Sequence, residues 1–480
     1  MLLLRKYVIM SYPDWVLRHR QKGTEIRKIG NNYYLYKIRS EWDREKKRPK
    51  KVTEKYLGKI TPEGLIKPKH ERKAELAENI AVKEFGATNL ILSTSNDIIN
   101  LLKQNFPHEW KEIAVFAIIR LLHQTPIKNV QDYYETSHLS DVFKARVSPK
   151  SVSRLLDAVG KNRHKAVKFM RNFVEGSEFA VIDLTHVFSS QNIISSALGY
   201  NSEGEYLPQV NLAVIFSLDK KQPVFYRMLP GCVRDVTVML NTLSEAGVDA
   251  VLIGDKGFYS RNNIEFLEGS KLRYILPLRR NSTLIDYSVM EKDKSAFDYF
   301  VFNKRVIWYY EREVSGRRII VYLDEKLRSE EERCFILHVE EGKKDIQEFY
   351  EKQHRFGTIA VITNTEYDPS RVFELLKSRS DVEIVFDTFK NLLRADRSYL
   401  RDDYKMQGWM FINFVSLLIY YRIYLLLLEK GLLKRYSVRD VLAHLSRIFK
   451  LRIDGEWVLS EVPRKTRKLV ERLEIELDIT

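Results

Sequence analysis

Three acidic residues occupy positions suited to chemistry, each with a plainer explanation beside it. Asp183 interrupts the apolar run Phe179 to Ile182 in FAVIDLTHVF. A lone carboxylate buried in a strand is unfavourable by several kcal/mol unless a cation or hydrogen bonds compensate it. Asp255 follows Val251 to Ile253 in AVLIGDKGFYS, ahead of Gly257. An acid at the carboxyl end of a strand, opening into a glycine turn, is where open sheets put ligand-binding groups, although such aspartates also cap turns and helices. The third, Glu383, lies in RSDVEIVFDTFKNLL, which reads as a helix. Arg379 precedes it by four residues and Lys390 follows it by seven. At about 100° per residue all three fall within roughly 40° of one another, so one helix face carries Arg, Glu and Lys. A salt-bridged surface helix has the same spacing. Against that, Val382, Ile384, Val385, Phe386 and Phe389 predict a helix with little of its surface exposed.

The elements needed to position these side chains are an α/β set. FAVIDLTHVF, YLPQVNLAVIFSL and PVFYRML read as successive strands, followed by a helix over Val236 to Ala246, then AVLIGDKGF and YILPL. Strands in a row and then a helix and strand imply a mixed sheet flanked by helices, over residues 176–281 and 350–430. Residues 282–349 break the rhythm. Their RVIWYYEREVSGRRIIVYL places two strand-forming runs around a Ser315, Gly316 turn, so a β-rich insertion is expected there. The strand AVITNT and a long helical stretch from Pro369 follow. Trp409 to Leu428 is apolar enough to suggest a membrane span, but Asn413, Ser416 and Arg422 interrupt it and favour a buried core helix. Residues 431–480 read as a helical C-terminal segment.

Upstream, residues 1–70 form a small basic β-rich module with strands over Tyr33 to Arg39 and Lys51 to Tyr56. Arg44, Lys46, Lys47, Arg48, Lys50 and Lys51 sit on or beside the turn between them, either as a solvated loop or as DNA phosphate contacts. Residues 71–175 have the period of helices in ERKAELAENIAVKEF, NDIINLLKQNF, WKEIAVFAIIRLL and SVSRLLDAVGKNRHKAVKFMRNFV. Ser148, Pro149 and Lys150 make a good helix start, which suits either plain core or the second half of a DNA-binding helix-turn-helix.

Composition narrows the partners. Among 480 residues, 80 Lys and Arg exceed 64 Asp and Glu, a net charge of +16. Such a surplus attracts polyanions, with nucleic acid first and an anionic membrane surface second. The length allows two to four domains. Cys232 and Cys334 are too few for a disulfide scaffold and lack zinc-site spacing, which fits a reducing cytoplasm. The apolar run in MLLLRKYVIM is too short for a signal-peptide core.

Arg379, Glu383 and Lys390 reproduce the R-(3)-E-(6)-K part of a known signature. With VIDLTHVFS, GYNSEGEYLPQVNLAVIF, LPGCVRDVTVM, IGDKGFYS and VITNT in order, and a weaker echo in EKYLGKIT, the chain resembles the DDE transposases of prokaryotic insertion sequences over roughly residues 179–425. It departs from them at Leu376, where the signature has tyrosine. The resemblance implies a ribonuclease H-like fold in which Asp183 and Asp255 stand on adjacent strands and Glu383 comes from a later helix. Together the three would hold two Mg²⁺ ions, with Mn²⁺ able to substitute. Hard divalent cations favour a few carboxylate oxygens, and a pair about 3.5 to 4 Å apart activates a nucleophile and stabilises a leaving oxygen in phosphodiester chemistry. Arg379 and Lys390 would neutralise phosphate. The implied partners are double-stranded DNA, as terminal inverted repeats and as target, bound by a dimer on the nucleoid in the cytoplasm, with no membrane. Trp308 suits a base flipped out near the cut end, or the core of its hairpin. Asp235 matches a family motif but also suits a helix start, and His186, three residues past Asp183, falls on the opposite strand face and reads as packing. The rivals are an inactive relic that binds DNA as a regulator and a nuclease that cuts without joining. A carboxylate hydrolase of small substrates explains neither the charge surplus nor the Arg379 and Lys390 register.

Overall fold

The structure, a computed structural model, describes residues 12–69, 71, 80–189, 197–200, 206–232, 237–289, 296–393, 397–453 and 455–478. The chain divides into two compact units, one of Met1–Lys83 with Phe449–Glu461 and Asp478–Thr480, the other of Glu84–Ile448 with Val462–Leu477. In the first, helix α1 (Asp14–Leu17) and strands β1 (Thr24–Ile29), β2 (Asn32–Asp43), β3 (Arg48–Thr61) and β4 (Gly64–Ile66) make an antiparallel sheet in sequence order. Alternation turns Ile26, Leu35 and Ile60 to one side, where they pack on Val16 with Tyr12, Trp15 and Tyr33.

Two helix expectations fail in this unit. Ala81–Glu84, expected within a helix over 71–85, is strand β5, while residues 72–79 lie outside those described. β5 joins strands Phe449–Ile453 and Glu456–Leu459 in a three-stranded sheet, so the C-terminal segment is a hairpin between helices and not purely helical. Pairing between segments so distant in sequence overrides local periodicity.

The second unit opens with helices α2 (Gly86–Thr94), α3 (Asn96–Asn105), α4 (Trp110–His123), α5 (Val130–Glu135), α6 (Leu139–Val142), α7 (Pro149–Lys161) and α8 (Arg163–Val174). The Ser148 side chain caps α7 by accepting from the Ser151 amide, as the sequence predicts. The Phe143–Ser148 link from four-residue α6 exceeds the roughly 3–4-residue turn of a helix-turn-helix, and Val152, Leu155, Leu156 and Val159 are buried. α7 is therefore a core helix.

Eleven strands then build one sheet: β6 (Phe179–Ser189), β7 (Ala197–Tyr200), β8 (Tyr206–Ser217), β9 (Gln222–Pro230), β10 (Val251–Ile253), β11 (Tyr274–Pro277), β12 (Asp298–Phe302), β13 (Arg305–Val314), β14 (Arg317–Asp324), β15 (Thr358–Thr363) and β16 (Arg397–Ser398). β6, β8 and β9 form an antiparallel meander, and β10 and β11 continue parallel to β6 on its other side. The spatial order β9-β8-β6-β10-β11, with β8 reversed, is the ribonuclease H-like arrangement that the resemblance implies. Helices α9 (Thr237–Ala246), α10 (Arg261–Gly269), α11 (Glu325–Glu340), α12 (Ile346–Lys352), α13 (Pro369–Ser378), α14 (Asp381–Asp387) and α15 (Asp403–Glu429) connect and flank the strands. Ser315 and Gly316 both take positive φ, the tight turn expected between β13 and β14. The insertion is not a sheet of its own: β12, β13 and β14 extend the central sheet through antiparallel β15, which pairs with β11.

α15 is long and apolar enough to cross a membrane by length and composition, yet 67% of its most apolar window is buried inside the protein. Its polar residues have internal partners. Asn413 accepts from the buried Arg120 guanidinium, Ser416 donates to the Ala117 carbonyl, and Arg422 pairs with Asp97 at 2.5 Å. This is the core-helix reading. α7 and α15 meet backbone to backbone through a glycine on each: a Cβ on Gly160 would fall 1.7 Å from the Tyr404 carbonyl oxygen, and one on Gly408 2.0 Å from that of Leu156. Backbone cannot yield as a side chain can. Gly160→Ala and Gly408→Ala should each lower unfolding free energy by about 1–3 kcal/mol or more in denaturant titrations; either alanine tolerated without loss contradicts this packing.

Candidate active site

Strand register sets the two aspartates level. β10 runs parallel to β6 with Ile253 opposite Val181, so Asp183, two residues further along β6, is level with Asp255, which is not on the strand itself but two residues past the end of β10, where it precedes the turn Lys256–Phe258. Val181, Ile182 and Val251 to Ile253 are fully buried and anchor both strands. Gly254 admits the crowding before the acid, because a Cβ there would lie 2.8 Å from Leu276.

Two carboxylates so placed repel, and a guanidinium stands between them. Arg379 Nη1 lies 3.6 Å from Asp183 Oδ2 and 3.4 Å from Asp255 Oδ1. The other Asp183 oxygen accepts from the Leu184 amide at 2.8 Å. Burial pushes the Asp183 carboxyl above its ordinary range; the Leu184 amide and Arg379 oppose the rise, while the charges of Asp255 and Glu383 add to it. Glu383 is thus near enough to be felt electrostatically, though it is exposed and outside the ion pair.

The element carrying Arg379, Glu383 and Lys390 differs from the single helix predicted. α13 ends at Ser378, and Arg379 and Ser380 form a joint tightened by i to i−3 hydrogen bonds before α14 begins. After Asp387 the chain widens into a π turn over Thr388–Leu392, closed by the Leu393 amide on the Thr388 carbonyl. Packing accounts for the widening. Val385, Phe389 and Leu393 recur every four residues and are all buried, and a straight α-helix would drift away from the core at that spacing. Val385 and Phe389 lie with Leu212, Val214, Met410 and Phe414 around one apolar void. Ile384, expected to be covered, is 45% exposed. The common helix face was therefore the wrong reason for grouping Arg379 with Glu383; the joint delivers Arg379 to the aspartates.

Lys390 is half-buried in the π turn, and its charge reaches His186 on β6. His186 is buried edge-on against Phe188, the packing role expected, and its pKa is lowered to about 4 by burial and then by Lys390. Leu376 lines the same cleft as Asp255, Arg379 and Glu383, giving an apolar wall where the signature has a tyrosine. Trp308 does not join the acids. It pairs with Tyr299 on β12, and four strand steps of about 4.8 Å separate its strand from β10, roughly 19 Å. Arg44, Lys46, Lys47, Arg48 and Lys50 are exposed at the closed end of the β2–β3 hairpin in the other unit. Asp235 lies outside the described residues.

The sequence reading missed the cations of this cleft, whose volume is about 970 Å³. Lys256, Arg279, Arg280 and Lys377 line it beside Arg379. The signal was available: Arg279 and Arg280 follow the carboxyl end of β11, next to the strand that leads to Asp255. Arg280 is engaged with Glu331 at 2.8 Å, whereas Lys256 and Arg279 are exposed and have no ion-pair partner among the described residues.

As a metal site the donor set fits in kind, since carboxylate oxygens are what hard divalent ions select, and a positive group already sits between two of them. It is not assembled for an ion. Among the described residues no three Asp, Glu, His or Cys side chains are grouped to hold one.

A family model described as the transposase DDE domain matches residues 176–419. Comparison with curated proteins finds no match. Among solved structures, a piggyBac transposase in a synaptic complex with hairpin DNA, determined by cryo-electron microscopy, is similar at 11% identity and a TM-score of 0.38, over 70% of this chain and 69% of that one. The matched region takes in the level aspartates, the Arg379 joint and Glu383 and spans just over half of the 480 residues, so this chain belongs to the transposase DDE-domain family.

Proposed function

We propose that this transposase binds the terminal inverted repeats of an insertion sequence, cleaves DNA there and joins the freed ends to target DNA. In this reading Asp183, Asp255 and Glu383 carry the chemistry with two Mg²⁺ ions, for which Mn²⁺ can substitute. Its strongest support is the pair of aspartates, one on β6 and one just past the end of the parallel strand β10, that share a single guanidinium.

The three carboxylates would hold the ions, which when bound activate a water or 3′-hydroxyl nucleophile and stabilise the leaving oxygen. Hydrolysis and strand transfer then differ only in the nucleophile. Arg379 has two successive tasks. Without ions it relieves the repulsion between Asp183 and Asp255; displaced from them, it neutralises the phosphate at the cut, with Lys390 alongside. Lys256 and Arg279 line the cleft leading away from Asp255 and would follow the backbone of the same strand. Two element ends must be joined, so the working form is a dimer on DNA, acting on the nucleoid of a prokaryotic cytoplasm. A DNA-binding regulator would have no use for two half-buried aspartates kept level, which disfavours the relic despite Leu376.

The assay is purified protein with Mg²⁺ or Mn²⁺ and DNA bearing the repeats that flank its own gene. Strand-transfer products are expected; nicks alone would make the chain a nuclease, and binding without cleavage a regulator. Asp183→Asn should reduce cleavage by roughly 100-fold or more, beyond the loss from a mere supporting contact, and leave repeat binding nearly unchanged. Arg379→Gln removes the cation that competes with metal. Partly exposed ion pairs contribute up to about 1 kcal/mol each, so Mn²⁺ binding followed by electron paramagnetic resonance should tighten roughly fivefold while strand transfer falls. Weaker Mn²⁺ binding in that variant would contradict the competition.

A further inference from the structure

The β2–β3 hairpin outgrows its sheet. β1 pairs with β2 only as far as Lys37, and β4 meets β3 only from Lys59 onward. From Arg39 to Asp43 and Arg48 to Val52 the two strands continue as a ribbon of five paired positions, roughly 17 Å at about 3.4 Å per residue. None of its residues belongs to the Val16, Ile26, Leu35, Ile60 core. The base is stiffened instead: Tyr36 packs on Tyr56, and Arg27 lies over the Tyr36 ring at 4.6 Å. Asp43 closes the turn by accepting from the Glu45 and Lys46 amides, with Lys47 at positive φ.

The ribbon's two faces differ. Cross-strand partners share a face, so Glu41 with Lys50 and Asp43 with Arg48 place both strand acids on one side, where Arg39 also pairs with Glu41 at 2.5 Å. The other side carries Ser40 with Lys51 and Trp42 with Pro49; the ribbon itself adds no acid there, and at its base Lys51 lies 3.8 Å from Glu25 of β1. Trp42 is 64% exposed and makes no ring contact among the described residues. Between Arg39 and Lys51 seven cations face three acids, three of the cations at the tip in Arg44, Lys46 and Lys47. An exposed tryptophan on a face to which the ribbon contributes no acid, flanked by cations and held by a stiff base, is unfavourable in water and complementary to a polyanion with an apolar interior.

We propose that this ribbon enters the major groove of double-stranded DNA, with the Trp42 face toward the base edges and Arg44, Lys46 and Lys47 on the flanking phosphates. The groove, about 12 Å wide, admits a two-stranded ribbon, and its thymine methyls offer apolar contact to the Trp42 ring. The proposal rests on the DNA-processing reading above and deepens it: the ribbon selects sequence, and the acid-bearing sheet does chemistry.

The test uses the full-length chain and duplexes carrying the flanking repeats or scrambled sequence. Arg44→Ala/Lys46→Ala/Lys47→Ala should weaken binding to both duplexes and flatten the salt dependence by roughly 0.9 per cation removed, about 2.7 in all. Trp42→Ala should leave that slope unchanged and lose roughly tenfold in affinity for the repeat duplex alone, the scale of one good base contact. Dimethyl sulfate footprinting should find guanine N7 atoms protected by the wild type and exposed in Trp42→Ala. Both variants should melt with the wild type, since the ribbon lies off the core. Protection of adenine N3 in the minor groove, or variants that bind and footprint as the wild type does, would overturn the ribbon's role and leave the transposase reading intact. A wild-type chain that binds no duplex would overturn both.

Discussion

The parallel register of β10 on β6 is the constraint on which the larger unit depends. It sets Asp255 opposite Asp183, two like charges a strand apart at the partly buried end of an apolar sheet. That arrangement is unfavourable without a counter-charge, and the fold supplies one through the joint between α13 and α14, where Arg379 lies within 3.6 Å of both carboxylates. Neither the joint nor the π turn after α14 suits an ideal helix. The first brings Arg379 to the aspartates, and the second keeps Val385, Phe389 and Leu393 in the core while Lys390 approaches β6.

Rigidity around this site comes from packing that leaves little freedom. α15 threads the unit with its mid-section buried, clasped by α7 through two glycines and tied to α4 by Arg120, Asn413 and Ser416. Arg120 also donates to the Leu393 carbonyl at the close of the π turn. The helical region that precedes the sheet in sequence thereby reaches the end of the element that carries Glu383, and the insertion shares the same framework because its strands prolong the central sheet beyond β15.

Much of this was legible in the sequence because it is locally encoded. The strand with Asp183, the turn after Asp255, the Ser315–Gly316 hairpin and the buried helix around Asn413 each announce themselves through periodicity or turn chemistry. What failed depends on partners distant in sequence. The period around Ala81–Glu84 fits a helix until strand Phe449–Ile453 is available to pair with it. Arg379 and Glu383 line one cleft but do not share one helix face, since a break in a helix leaves no mark in a run that reads as periodic. The cleft cations Lys256 and Arg279 went unnoticed because nothing local separates them from ordinary surface charge, and Trp42 because its exposure depends on how far two strands outrun their neighbours.

The direct test is to diffuse Mn²⁺ into crystals of the protein and map anomalous scattering. Density between Asp183 and Asp255, with Arg379 withdrawn and Glu383 turned toward the ions, is what a carboxylate site held open by a displaceable cation requires. Saturating Mn²⁺ that leaves Arg379 bridging the two aspartates, with ions bound only elsewhere, would contradict it.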